Sequence, residues 1–458
     1  MGKKDFAEEF VNSPRPHILM VTNHGMHDWE VRSGLTDTGG QNHYVNHLSD
    51  TLVCMGFKVT TLNRGGFLDP ITKQMREGAI YKDENSRIVY LKGGGNKFIR
   101  KEDLNKVIIG EEVEYANEFF SKERLNCKLI ISHYWDGAML AHMLKERMNI
   151  KAKHIWVPHS LGALKKENYK NKPKEVIEAC RFEERIAYEN ELLPKCDAVA
   201  STSGDISRTL KQYYDHEAKL SLPPCIDTDS VHPMEPTQCS RIYDFLKKSD
   251  PVSGSNVLGK KCVLEVSRTD KTKRKDLLIK AFAKAHKSNP ESMLLLTLSS
   301  DSKEVYDECM TLMKAEGIRD KVVILGMIPR DLIRELYAIT TVYCSPSEME
   351  GFGMSVQEAC ACRRPTVSSN LVPFAVEYLL SNAREENVGG KIRWGDAGVV
   401  INAGNTEGFA YTISKLLKDS ELRNKIAANA YTTTIPYFTW PTQTQRMLTK
   451  VGINIPQA

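Results

Sequence analysis

A chain of 458 residues exceeds what one ordinary core holds and calls for two or more domains of about 100–200 residues each. Its net charge of +5 is too small for that length to make nucleic acid a general partner, and no apolar window approaches the ~18 residues that a membrane-spanning helix needs. The charged N-terminal run MGKKDFAEEFVNSPRPH lacks a signal peptide's apolar stretch, and eleven scattered cysteines without a CxxC pair point to reduced thiols in a cytoplasm rather than a disulfide frame or a zinc site.

The first half reads as a βα series. HILMVTNHG (17–25) is an apolar strand running into a glycine loop, followed by a helix over 42–56 and strands at 58–64, 87–93, 128–135, 154–160 and 198–203. The proline-rich stretch 222–256 has no long apolar period and reads as a hinge; its Asp227 and Asp229 imitate the Asp-x-Asp pair of metal-dependent sugar transferases, but two acids in a proline turn also serve as turn formers. The second half restarts with a strand at 260–268 and alternates helix 275–287, strand 292–300, helix 305–317 and strand 321–326 before TVYCSP. Such alternation predicts an α/β fold of two Rossmann-like, doubly wound domains with parallel sheets, facing a central cleft, with ligands at the carboxyl ends of the strands. The expected division is 1–225, a hinge at 226–256, a second domain at 257–435 and a C-terminal segment, 436–458, that packs back on the first.

Several segments carry chemistry. In SPSEMEGFGMSVQEACACRRP (345–365), Gly351-Phe352-Gly353 separates Glu350 from Glu358 and precedes a helix that is expected to start near Ser355. Glycines let a ligand approach the backbone, and the first amides of a helix attract phosphate. Two flanking carboxylates that accept from hydroxyls make this a place for a sugar nucleotide. Ser355 and Glu358 alternatively form a capping box. Past a strand end, Arg268 and Lys273 can neutralise a diphosphate, or they form a solvated basic helix start. In the first half, Gly39, Gly40 and Gln41 open a helix, and His159 and Ser160 end a strand ahead of Lys165. His159 equally suits a structural hydrogen bond. Arg181 and Arg185, four apart, are expected on one helix face and, with Lys97 and Lys165, suit an acceptor phosphate; ion pairing with Glu184 or Glu189 is the alternative.

The ordered motifs TDTGGQ, GGGNKF, SHYWDG, PHSLGALK, RxxxRI, SRTDKTK and EGFGMSVQE resemble a retaining glycosyltransferase of the GT-B architecture, in the large family (family four) that contains sucrose-phosphate synthase, mannosylfructose-phosphate synthase and the mycothiol-pathway glycosyltransferase. The resemblance runs from His24 to about Trp440. It implies that Glu358 accepts from the nucleotide's ribose hydroxyls and Glu350 holds the donor sugar. Arg268 and Lys273 then bind the diphosphate, and the backbone of Gly351, Phe352, Gly353 and Met354 lines the donor. Gly39, Gly40 and Gln41 close over donor and acceptor. His159 sits at the reaction centre, with Lys97, Tyr134, Ser160, Lys165, Arg181 and Arg185 around the acceptor. Front-face transfer with retention follows, with the leaving diphosphate helping to take the acceptor's proton and no metal ion required.

The resulting expectation is a cytoplasmic hexosyltransferase that moves a hexose such as glucose from a UDP-, GDP- or ADP-type donor to a phosphorylated sugar or polyol. Its partners are small molecules, with no nucleic acid and no transmembrane segment. One rival keeps the fold with a neutral or lipid acceptor at a membrane surface, through the basic stretch 165–174; another is a nucleotide-sugar-binding protein without turnover.

Overall fold

In the computed structural model, which describes residues 6–31, 37–123 and 125–456, strand β1 (His17–Thr22) is buried along its whole length. Ile18 and Met20 enter one apolar cluster, Leu19 and Val21 another. The two-residue period of a strand demands this when both sheet faces are covered, and each such side chain contributes roughly 1.5–3 kcal/mol. With β2 (Lys58–Arg64), β3 (Gly78–Asp83), β4 (Ser86–Leu91), β5 (Cys127–His133), β6 (Lys153–Val157), β7 (Ala198–Ser201) and β8 (Leu220–Ser221) it forms an eight-stranded sheet of order β3-β4-β2-β1-β5-β6-β7-β8. All neighbours are parallel except β3 and β4.

The second sheet comprises β9 (Lys261–Glu265), β10 (Ser292–Thr297), β11 (Val322–Leu325), β12 (Thr340–Ser345), β13 (Thr366–Ser369), β14 (Arg384–Asn387), β15 (Lys391–Trp394) and β16 (Val399–Ile401), in the order β11-β10-β9-β12-β13-β16-β15-β14. Val263 and the pair Cys262 and Leu264 again feed opposite clusters. Here β14 and β15 are antiparallel additions. The expected parallel sheets are thus present in both units, each with antiparallel strands added at one edge, where half-exposed, charged strands such as GAIYKD and REEN carry no continuous apolar signal.

Residues 1–225 and 440–458 form one compact unit and 226–439 the other. Trp440, Met447 and Leu448 of the helix Trp440–Lys450 share a cluster with Tyr44, Val45 and Leu48, and the Trp440 and Tyr44 rings meet edge-on at 4.8 Å. The stretch 226–256, expected as a hinge, is instead part of the second unit. Its helix Arg241–Ser249 buries Ile242 and Leu246 in that unit's core, and Ile226 pairs with Thr439 as an isolated bridge. The amphipathic period IYDFL is too short to stand out between prolines. Among the described residues no helix is long and apolar enough to cross a membrane.

Candidate active site

In the second unit the chemistry gathers where β9 and β12 end. The chain leaves β9 through a loop whose Asp270 side chain accepts from the Thr272 amide at 3.0 Å. The Glu348 amide donates back to the Thr272 carbonyl at 2.7 Å, which ties this loop to the one after β12. Lys273 is thereby buried, and its Nζ reaches Glu350 Oε1 at 2.7 Å and the Met349 carbonyl at 3.0 Å. Beneath them Lys275 and Glu265, both buried, pair at 2.6 Å, with Ser267 and Thr297 as further partners. Removing one member of such a pair leaves an uncompensated buried charge, so the pair holds the loop in one arrangement. Neither residue is singled out by the sequence reading, because an ion pair ten residues apart has no local signature.

Gly353 caps the helix Met354–Ala361 with φ +104°, and a Cβ there would lie 2.5 Å from Val372. Only glycine fits there, and the helix starts at Met354, near Ser355 as expected. Ser355 is therefore inside the helix and not its cap, Glu358 is its fifth residue, and the capping-box alternative is removed. Glu358 instead accepts from Tyr337 at 3.0 Å and from Arg330 at 3.2 Å. Gly351 leaves open space beside its backbone, Phe352 is buried with its carbonyl accepting from the Phe374 amide at 2.8 Å, and Met354 is exposed. Arg268 extends its side chain 87% exposed, 3.8 Å from Asp270. Asp227 closes a turn, accepting from the Asp229 amide at 3.1 Å and from Ser230 at 2.5 Å. No group of three potential metal ligands occurs among the described residues.

In the first unit a second cluster forms at the ends of β1, β5 and β6. Tyr134 follows β5 with φ +62° and His159 follows β6 with φ +53°. Left-handed non-glycine residues cost of order 1–3 kcal/mol and persist where surrounding structure imposes them. A Cβ on Gly137 would meet the Val21 carbonyl at 2.8 Å, so glycine lets the helix Tyr134–Arg147 press onto β1. That contact brings Asp136 to His24, whose amide and Nδ1 both lie 2.9 Å from the carboxylate. His133 Nδ1 and His159 Nε2 share a hydrogen bond of 2.9 Å. Burial pushes the His159 imidazole down to about 3 and His133 well below its usual range.

Gly39 and Gly40 open the helix Gly40–Cys54 with free space where a side chain would project, and Gln41 donates to Thr22 at 2.9 Å. Thr36, the first residue of the TDTGGQ motif, lies outside the described residues. Nearby, Lys101, Lys165, Arg181 and Arg185 line a cavity of about 130 Å³ together with Glu102 and Glu184. Burial alone would raise the Tyr134 phenol, but Lys165, Arg185, a Ser160 hydrogen bond and Lys101 outweigh it and hold the phenol below its ordinary range. The surroundings of Tyr134 thus favour negative charge.

Three expectations change here. Lys97 is exposed outside the cavity lining, its carbonyl accepting from Arg64 at 3.0 Å, whereas Lys101, paired with Asp37, lines the cavity. Arg181 is the left-handed cap of the helix Phe182–Leu192, not a member of its face, though it lines the same cavity as Arg185. Arg185 is buried and paired with Glu189 at 2.7 Å while donating to the Ser160 carbonyl at 2.6 Å, so its charge is already largely committed. Arg181, by contrast, makes only exposed pairs among the described residues, at 3.6 Å to Asp103 and 3.9 Å to Glu184. Such pairs are worth at most about 1 kcal/mol and yield readily to a ligand.

Two Rossmann-like units, each with its candidate groups collected at the carboxyl ends of its strands, have the GT-B architecture. The chain matches the solved sucrose-phosphate synthase of Thermosynechococcus elongatus with a TM-score of 0.70 and 22% identity, covering 96% of this chain and 98% of that one. Residues 247–433 match the family described as glycosyl transferases group 1. Mannosylfructose-phosphate synthase of Agrobacterium fabrum is 29% identical over 363 residues, 77% of this chain and 76% of its own. A probable sucrose-phosphate synthase of Thermosipho melanesiensis is 27% identical over 338 residues, 73% of this chain and 76% of its own. Residues 247–433 thus carry a glycosyl transferases group 1 domain, and the chain as a whole is similar to these sugar-phosphate synthases.

Proposed function

We propose that the chain moves a hexose, with retention, from a nucleoside diphosphate sugar to a phosphorylated sugar or polyol in the cytoplasm, without a metal ion. The cavity lined by Lys101, Lys165, Arg181 and Arg185 beside an acidified Tyr134 carries the acceptor part of this reading. Both relatives named above are synthases of sugar phosphates, which agrees with it. On the donor side, Lys273 and the exposed Arg268 bind the diphosphate, the amides at the start of the helix Met354–Ala361 assist, Glu350 holds the sugar and Glu358 accepts from the ribose. Preorganised cations stabilise the charge that develops on the leaving diphosphate, which itself takes the acceptor's proton. No protein nucleophile takes part.

The test is a product assay with UDP-, GDP- and ADP-hexoses against paired phosphorylated and free acceptors, in the presence of EDTA, with anomeric configuration read by NMR. A phosphorylated product that keeps the donor's configuration supports the reading. Inversion, magnesium dependence or equal use of free and phosphorylated acceptors contradicts it.

A further inference from the structure

His133 and His159 end neighbouring parallel strands, and the register that pairs His133 with Val157 brings their rings to 5.1 Å at an interplanar angle of 27°. Their one shared hydrogen bond joins His133 Nδ1 to His159 Nε2 at 2.9 Å. Tyr44, itself tethered through its hydroxyl to the Leu222 carbonyl at 2.8 Å, meets the His159 ring edge-on at 4.8 Å, and the backbone of His159 is held at φ +53°. The ring therefore has little freedom to turn away from its partner.

Two neutral imidazoles joined in this way hold one proton between them, which couples their tautomers. If His159 donates from Nε2, the proton of His133 must sit on its own Nε2. That atom is buried and has no hydrogen-bond partner among the described residues. A buried N–H without an acceptor is rarer in folded proteins than an unsatisfied acceptor. If His133 donates from Nδ1, its Nε2 carries only a lone pair, and the proton of His159 moves to Nδ1, away from His133.

We propose that His133 is a positioning residue that fixes His159 as the Nδ1–H tautomer, so that His159 offers a hydrogen-bond donor rather than a basic nitrogen to the ligand. This rests on the transferase reading only for its consequence: His159 then steadies a ligand oxygen and does not abstract the acceptor's proton. The structural claim stands apart from turnover.

Nitrogen-15 NMR of the full chain, with labelled histidine and the His159 resonances assigned through His159→Asn, reads the tautomer directly. The expected result is a protonated Nδ1 and a bare Nε2 on His159, and a protonated Nδ1 on His133. In His133→Phe the His159 pattern should shift toward the Nε2–H form and kcat fall roughly tenfold with the donor KM unchanged, the loss expected for one hydrogen bond. His133→Asn, whose amide donates from a similar position, should restore both. A wild-type His159 protonated on Nε2, or a tautomer indifferent to His133→Phe, overturns the proposal, and the wild-type spectrum decides even if the phenylalanine variant does not fold. A correct tautomer in a chain that transfers no sugar would instead leave the proposal standing and remove the transferase reading.

Discussion

The two units share a sheet architecture and gather their candidate groups at the same ends of their strands, yet they rely on different devices to hold them. In the second unit opposite charges do it: Lys275 with Glu265 at 2.6 Å under the loop, and Lys273 with Glu350 at 2.7 Å above it. In the first, beside the buried Arg185–Glu189 pair, the His133 and His159 imidazoles, held below their usual range, are packed among polar and aromatic neighbours, and ten of the chain's twelve histidines lie before residue 226. The same fold can therefore hold a frame of ion pairs in one unit and a frame of buried imidazoles, which acid must charge, in the other.

The largest effect that sharpens this contrast is expected at the charged frame. Lys273→Ala and Arg268→Ala should each slow transfer on the order of 100-fold or more, as when a preorganised charge stabiliser is lost. Only Lys273→Ala should also lower Tm, because it strips Glu350 of its partner, whereas Arg268 is almost wholly exposed. Steady-state rates and thermal melts of both variants check this. Next, Glu358→Gln should weaken nucleoside diphosphate binding by roughly 1.5–3 kcal/mol, the worth of hydrogen bonds to a charged group. Unchanged affinity by titration calorimetry would leave Glu358 only its bonds to Arg330 and Tyr337.

The neutral frame should fail first in acid. Burial holds His27, His154 and His159 down to about 3, against an ordinary value of 6.5. A base depressed in the fold stabilises above its unfolded value and loses that contribution as pH falls from 6.5 toward 3. Glu112 of the same unit works the other way, since burial pushes it up to about 8 against the pull of Asn23 and Arg64; its stabilisation is full below about 4.5 and is lost as pH rises through about 8. With several buried histidines against one such glutamate, the balance predicts that the first unit loses stability as pH falls from 6 to 5. Hydrogen exchange by mass spectrometry should show its amides opening before those of 226–439, and simultaneous opening would erase the contrast. The smallest effect belongs to Glu112→Gln, which should raise Tm at pH 8 by the equivalent of about 1 kcal/mol and leave it nearly unchanged at pH 5.

Local signals were the legible ones. Apolar runs such as HILMVT and SMLLLT announce buried strands, and glycines beside carboxylates announce the loop at 350–353. Edge strands and the helix Arg241–Ser249 were not legible, because half-exposed strands lack a continuous apolar run and a two-turn helix between prolines lacks a long period. The site followed the same rule. Lys273 and Glu350 carry motif signals of their own, but their contact spans 77 residues. The Arg185–Glu189 pair, four residues apart, was legible as an alternative, whereas Lys101 reaches the cavity through folding that brings distant segments together and was not visible in spacing.

The cations in the first unit bear on the central claim, that the acceptor carries a phosphate, and the structure selects which of them to change. Arg185 is a poor choice, since its removal strands Glu189 in the interior; Lys165 and Arg181 line the same cavity at lower structural cost. The decisive measurement is steady-state kinetics of Lys165→Ala and Arg181→Ala with the best phosphorylated acceptor and its unphosphorylated form. The account predicts an acceptor KM raised roughly 10- to 100-fold in each variant, as when a hydrogen bond to a charged group is lost, with the donor KM nearly unchanged and the free acceptor used poorly throughout. Equal use of both acceptors by the unaltered protein, with neither variant changing that ratio, would contradict it.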